Sequence, residues 1–295
     1  MTAVEVLRGA GGAPARPDVF DPTRFGLGVV VPVLGAHPQA GASGIALALA
    51  DAAAGAGLRV LLLDCADPAR SGLAGVCAVE GRSVPGARGR AGIRPATRQL
   101  RRGVVTVRRI AATGEPLDVR RVPLPAAWIA ADDNHFDLTV VDAGWDAWSL
   151  LATGERLAPL LWCTGSATFP VLVLRPTIGS AGLAEGTIAR YDDAVRTAGL
   201  VPLYATVVVG ARTWPATVVP VLGHRLAQRR RRTLFAEATA ESAVSGWTTG
   251  PAPPASLRAA TVLLRAVTGA APSGAAPTAA PARPPQRRPG WLRRG

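Results

Sequence analysis

The chain contains no lysine, and all 33 of its basic residues are arginines. Any side-chain cation offered to an anion must therefore be a guanidinium. Cysteine is scarce as well. Cys65, Cys77 and Cys163 show no C-x-x-C spacing, which excludes a disulfide framework or a cysteine metal site. The three histidines, His37, His135 and His224, are scattered and form no ligand pair. No apolar run reaches the roughly 20 residues that span a bilayer. No charged-then-apolar signal segment opens the chain, so the expected location is cytoplasmic.

What is present is a 295-residue chain, 48% hydrophobic and 18% charged, long enough for a large core. Its 33 basic and 20 acidic residues give a net charge of +13. Such a surface attracts polyanions, nucleic acid or anionic membrane. Abundant Ala, Gly, Pro and Arg with no lysine is also what a GC-rich genome writes by codon bias.

The composition divides the chain in three. Residues 1–26 are Gly/Pro/Ala-rich and aperiodic and read as a disordered leader. Residues 270–295 are Pro/Ala/Arg-rich, cannot bury a core and read as a disordered tail. Residues 27–269 alternate apolar runs with helical stretches, which predicts an α/β fold with a mainly parallel, twisted sheet. Strands are expected over 28–34, 59–64, 104–109, 137–142, 170–174 and 203–209, with a weaker one over 233–235. Helices are expected over 43–54, 180–197 and 256–267, the last capped by Ser256 and stopped by Gly269. The Arg/Gly/Pro-rich stretch 81–102 reads as a long exposed loop.

The segment 28–67 carries the chemistry. It is an apolar strand, a Gly-containing loop, an Ala-rich helix and a second apolar strand ending in Asp64. A strand-to-helix turn of this kind offers backbone N–H groups and a helix N-terminus to phosphate. Gly35 and Gly41 bracket the loop, and Ala42, Ser43 and Gly44 open the helix. Ser43 is placed to cap the helix or to ligate Mg²⁺. In a P-loop the residue before this hydroxyl is a lysine that reaches the β/γ-phosphates; here it is Ala42. No G-x-S-x-G elbow supports a hydrolase reading, and the adjacent Asp132 and Asp133 do not form an acid/base pair.

On these residues the chain resembles the MinD/ParA family of P-loop ATPases, and in particular actinobacterial relatives of it. The family's K-G-G-x-G-K-T motif falls on His37, Pro38, Gln39, Ala40, Gly41, Ala42 and Ser43, so His37 and Ala42 replace both lysines. The resemblance spans about residues 27–269 and implies a three-layer P-loop fold. LDCADPARSGL places Asp64 as the aspartate that organises Mg²⁺ and water, the catalytic candidate. FDLTVVDAG resembles the Walker B strand and places Asp142 near the metal, with Ser43. VLVLRPT places Arg175 on the nucleotide side. The resemblance implies ATP and Mg²⁺ as cofactors, bound weakly, or not at all if the loop is a relic. It also implies a protein partner and a homodimer.

A charge-assisted hydrogen bond is worth about 1.5–3 kcal/mol, or roughly 10- to 150-fold in affinity, so binding survives its loss better than hydrolysis does. The expectation is a degenerate member with weak or no ATPase activity, acting as a partitioning, positioning or regulatory scaffold. One alternative is an active ATPase in which Arg175, or an arginine from 82–102, replaces the lysine. Another is a DNA-binding accessory protein using Arg229, Arg230, Arg231 and Arg232 for non-specific phosphate contact. The tail residues Trp291, Leu292, Arg293 and Arg294 allow at most transient contact with an anionic membrane.

Overall fold

The computed structural model describes residue 20 and residues 22–112, 114–129, 135–237 and 246–270. Most of the expected leader and the tail, with Trp291 to Arg294, lie outside the described residues, as do Asp132 and Asp133. Nine strands form one sheet in the order β3-β4-β5-β2-β6-β1-β7-β8-β9. They are β1 (Val29–Gly35), β2 (Val60–Asp64), β3 (Val79–Glu80), β4 (Ile93–Gln99), β5 (Val104–Ile110), β6 (Leu138–Asp146), β7 (Val171–Leu174), β8 (Ala205–Val209) and β9 (Thr233–Ala236). The helices are α1 (Ala42–Gly55), α2 (Ala147–Ala152), α3 (Ala158–Leu161), α4 (Ile178–Ala198), α5 (His224–Gln228) and α6 (Pro254–Ala270).

From β5 to β9 every neighbouring pair is parallel. The central strands are continuous apolar runs because both faces are covered. On β1, Val29, Val31 and Val33 face α1 and α6, while Val30 and Leu34 face the opposite layer. Helix α1 is buried on nearly all sides, and its alanines let it lie close to both the sheet and α6. Helix α4 is bounded by its own residues. The Thr177 side chain caps Ser180 N–H, and Gly199 ends the helix in the left-handed conformation at φ 71°.

Two expectations are corrected. Stretch 81–102 is a loop only over residues 81–92: beyond them β4 runs antiparallel to β5 and pairs on its other side with β3. The alternation is hidden because one inward residue is Arg98, only 1% exposed. Its guanidinium forks onto Asp51 of α1, Nε to Oδ1 at 2.7 Å and a terminal nitrogen to Oδ2 at 2.9 Å. The other terminal nitrogen donates to the Val76 and Thr248 carbonyls. Helix α6 begins at Pro254, not after a Ser256 cap, and its first bond runs from Leu257 N–H to the Pro253 carbonyl. Proline suits that position, since it lacks the N–H that would be orphaned there. The sequence reading also omitted α2, α3 and α5, each of six residues or fewer.

Candidate functional site

At the carboxyl edge of the parallel strands, where β1 passes into α1, lies a cavity of about 700 Å³. This edge is where open α/β sheets place ligands. Gly35, Gly41, Ala42, Ser43, Gly44, Asp142 and Arg175 all line it. The structure therefore brings together every expected phosphate-side residue. Gln39 (φ 62°) and Gly41 (φ 101°) turn the chain through the left-handed region, and a Cβ on Gly41 would press against Val209 at 3.3 Å. Helix α1 has no side-chain cap and no acidic residue in its first turn. Its first hydrogen bond is from Ile45 N–H to the Gly41 carbonyl. The preceding N–H groups, with the positive end of the helix dipole, are left to the cavity.

His37 ties the loop down. Its Nδ1–H donates to the Pro38 carbonyl at 2.7 Å, which leaves Nε2 to accept from the Ser180 hydroxyl at 2.7 Å. Ser180 Oγ in turn accepts from Arg175 N–H. Arg175 Nε donates to the Gln39 carbonyl at 3.2 Å, which sets its guanidinium on the cavity wall.

Beneath the helix N-terminus, Asp64 and Asp142 sit side by side on paired strands. They are 2% and 1% exposed. Asp64 does not reach the cavity wall. Its Oδ2 accepts from the Ser71 hydroxyl at 2.6 Å and its Oδ1 from Ala66 N–H at 3.1 Å. Burial raises its carboxyl, against the pull of those two donors and of Arg109. Asp142 does line the cavity. Its Oδ1 accepts from Gly144 N–H at 3.1 Å, and its Oδ2 is buried without a hydrogen-bond partner. Burial, then the neighbouring Asp64 charge, pushes its carboxyl up to about 7, while the Ser43 hydroxyl and Gly144 N–H draw it down. A buried oxygen with no partner, beside a hydroxyl and a second carboxylate, suits a hard divalent cation. Ser43 and Asp142 fit Mg²⁺ directly, and Asp64 fits behind them.

The arginines expected from 82–102 are elsewhere. Arg94 pairs with Glu80, Arg98 with Asp51, and Arg90 donates to the Arg120 and Val122 carbonyls. Arg229 bonds Asp192 and the Leu203 carbonyl, and Arg230, Arg231 and Arg232 precede β9. That is the amino-terminal edge of the sheet, opposite the cavity. Trp145 lines the cavity and donates to the Cys65 carbonyl, whereas Trp148 is exposed under the Arg190 guanidinium.

Several wall residues lie outside the expected set, among them Asp67, Asp146, Ser149, Arg70 and Trp247. Arg70 is exposed, lines the cavity and has no acidic partner among the described residues. It lies in the DPARSGL segment after β2, so its position was legible. Trp247 also lines the cavity, brought there from far along the chain by the segment before α6. Nothing in its local sequence marks it.

No protein-family model matches the sequence, and no curated protein does. Solved structures do match. MinD from Pyrococcus horikoshii, solved with Mg-ADP, aligns at 14% identity and TM-score 0.52, over 81% of this chain and 95% of that one. MinD from Aquifex aeolicus aligns at 15% and 0.51, over 82% and 97%. A chain of the Aquifex aeolicus MinC:MinD cell division protein complex aligns at 15% and 0.51, over 80% and 96%. The chain thus has the α/β fold of these MinD structures.

Proposed function

We propose that this protein binds a nucleoside phosphate with Mg²⁺ in the cavity at the head of α1 and hydrolyses it slowly or not at all, serving as a regulatory or positioning scaffold. The observation that carries this reading is the orphaned Oδ2 of Asp142 on the wall of an uncapped helix N-terminus. A divalent cation would supply the charge that this carboxylate lacks and would neutralise phosphate. Ser43 and Asp142 would hold it, and Asp64 would orient what lies behind. The backbone N–H groups of Ala42, Ser43 and Gly44 cradle phosphate, and Arg70 and Arg175 add positive charge from the walls. Arg70 is exposed, Arg175 is tied to the Gln39 carbonyl of the loop, and Ala42, where a P-loop has lysine, carries no charge. That arrangement favours binding over the positioned charge that phosphoryl transfer needs. The solved likeness to MinD with Mg-ADP and with MinC supports both the ligand class and a protein partner.

Calorimetric titration with Mg·ATP and Mg·ADP tests this, beside phosphate release at steady state. Micromolar to millimolar binding, weakened at least tenfold by Arg70→Ala with Arg175→Ala and lost in Asp142→Ala, is the expected result. No binding at millimolar nucleotide would overturn the site; sustained turnover would overturn the non-hydrolysing reading.

A second reading rests on Arg230, Arg231 and Arg232, exposed together on the opposite edge and without an acidic partner among the described residues. It makes that edge a non-specific DNA contact, whose affinity should fall steeply with salt. Replacing the three with Ala should flatten that dependence; an unchanged salt slope would reject it.

A further inference from the structure

The loop from Gly35 to Ala42 reads GAHPQAGA, and His37 is its one residue that can carry a charge. It is half-buried and lines the cavity. Its two ring nitrogens have partners of different kinds. Nδ1 meets the Pro38 carbonyl at 2.7 Å, and a carbonyl can only accept. Nε2 meets the buried Ser180 hydroxyl at 2.7 Å, and a hydroxyl can donate or accept. The neutral ring therefore donates from Nδ1 and accepts at Nε2. A protonated ring donates from both, and only the hydroxyl hydrogen has to turn away. Ser180 Oγ already accepts from Arg175 N–H, but a hydroxyl oxygen has two acceptor sites. The imidazolium thus keeps both hydrogen bonds. A carbonyl or an N–H in place of the Ser180 hydroxyl would lock one protonation state; the hydroxyl admits both.

The charged groups around the ring are few. Arg175, at the end of β7, bonds the Gln39 carbonyl of the same loop. The first turn of α4 holds no acidic residue, and Glu185 further along is occupied by the Arg225 and Leu226 N–H groups. Across the cavity stand Arg70, Asp67, Asp142 and Asp146. Asp67 accepts from Ala69 and Leu117 N–H, and Asp146 caps α2 through Ser149 N–H. No carboxylate bonds to the ring. A phosphate in the loop adds negative charge beside it, which favours the protonated form. Imidazole is the side chain that ordinarily changes charge between about pH 5 and 8.

We infer that His37 is the ionisable cation of this loop: it takes up a proton from solvent when phosphate binds, and as imidazolium supplies positive charge where Ala42 has none. The inference rests on the phosphate site proposed above. The ring acts through its charge and not by contact, since its N–H groups stay on Pro38 and Ser180. By linkage, a proton that phosphate draws in must in turn strengthen phosphate binding. The His37 contribution to affinity therefore grows as pH falls through the imidazole range. Asp142 acts in the opposite sense, because it must be ionised to hold Mg²⁺, so the comparison with variants at His37 is what isolates the ring.

The test is titration of the full-length protein with Mg·ADP at pH 8 and pH 6, comparing wild type with His37→Asn and His37→Gln. Asn can keep the bond to Pro38 and Gln the bond to Ser180, and neither ionises. The ratio of variant to wild-type Kd should rise about tenfold from pH 8 to pH 6. A purely structural role for His37 would give the same ratio at both values. That result would overturn the assignment and leave the phosphate site standing, whereas absence of binding by the wild type would overturn both. If neither variant folds, ¹⁵N spectra of the wild-type imidazoles at pH 7 decide. Adding Mg·ADP should move both His37 ring nitrogens to imidazolium positions, and a ring that stays neutral in the bound protein would overturn the assignment.

Discussion

Replacing Asp142 with Asn should stabilise the ligand-free protein at pH 8 and cost it Mg²⁺. The Asp142 carboxyl is raised from 3.8 to about 7 in the folded chain. The folded state therefore holds a proton that the unfolded state has lost between those values. Stability associated with this group is complete below about pH 4 and falls as pH rises to about 7. The loss is then complete. A rise of about 3 units corresponds to a ceiling of roughly 4 kcal/mol, at ~1.36 kcal/mol per unit. Asn cannot ionise, so it escapes that cost. It keeps the acceptor for Gly144 N–H and introduces an amide that is incompletely bonded, a penalty of about 1–3 kcal/mol. The net expectation at pH 8 is a gain of about 1–3 kcal/mol, a few degrees in Tm for a domain of this size. The assay is thermal melting of both proteins in EDTA from pH 4 to pH 8. The difference between the two isolates Asp142 from other titrating groups, apart from its effect on Asp64. The advantage should vanish or reverse near pH 4. Adding Mg²⁺ with ADP should raise the wild-type midpoint and leave the variant unmoved. A variant less stable at pH 8, or a difference independent of pH, would refute the reasoning.

Two further predictions follow from the same geometry. Ala42→Lys restores a cation at the loop, and Ala42 lines the cavity only half-buried. Mg·ATP should then bind roughly 10- to 150-fold more tightly by titration, and unchanged affinity would count against phosphate occupying the loop. Arg98→Met leaves the Asp51 carboxylate buried and unpaired. It should lower stability by about 3–5 kcal/mol in denaturant unfolding, and a loss under 1 kcal/mol would show that the pair is solvated.

Where burial is uniform, the sequence was readable. β1, β2 and β7 are runs such as VVVPVLG and VLLLD whose every residue is buried, and β6 is buried over its first six residues, so apolarity alone marks them. Reading failed where an inward position is charged. On β4 the burial alternates, but the inward pair is Ala96 and Arg98, and arginine signals exposure to any pattern-based reading. Its partner Asp51 lies in the middle of an alanine-rich helix, where no spacing announces an ion pair. The short helices fail for another reason: four to six residues hold too little of a 3.6-residue period to register.

At the site the division is similar. Gly35, Gly41, Ser43 and Asp64 were legible because each lies at or next to the end of a regular element, and Asp142 because it interrupts the apolar run of β6. Which aspartate faces the cavity was not, since both follow apolar runs and pair in the same register. The difference arises from Ser71 and Ala66, which turn in behind Asp64 and occupy its oxygens. Trp247 was invisible because its position depends on Arg98, Asp51 and Gly44 from three separate elements.

The absence of lysine and the presence of Asp142 bear on the proposed function in opposite ways, and their combination is what favours a binding site. Having no lysine at the loop lowers the attraction for phosphate but costs the fold nothing. A buried carboxylate with an unpartnered oxygen weakens the folded state once it ionises, and by more than its neutral isostere would. If the cavity held no cation, Asp142 would be an uncompensated liability at the centre of the sheet. On the proposed reading, a bound divalent ion would offset that liability through Ser43 and Asp142. Arg70, Arg175 and the N–H groups of α1 would then hold a phosphate, with no lysine at Ala42 to drive its transfer.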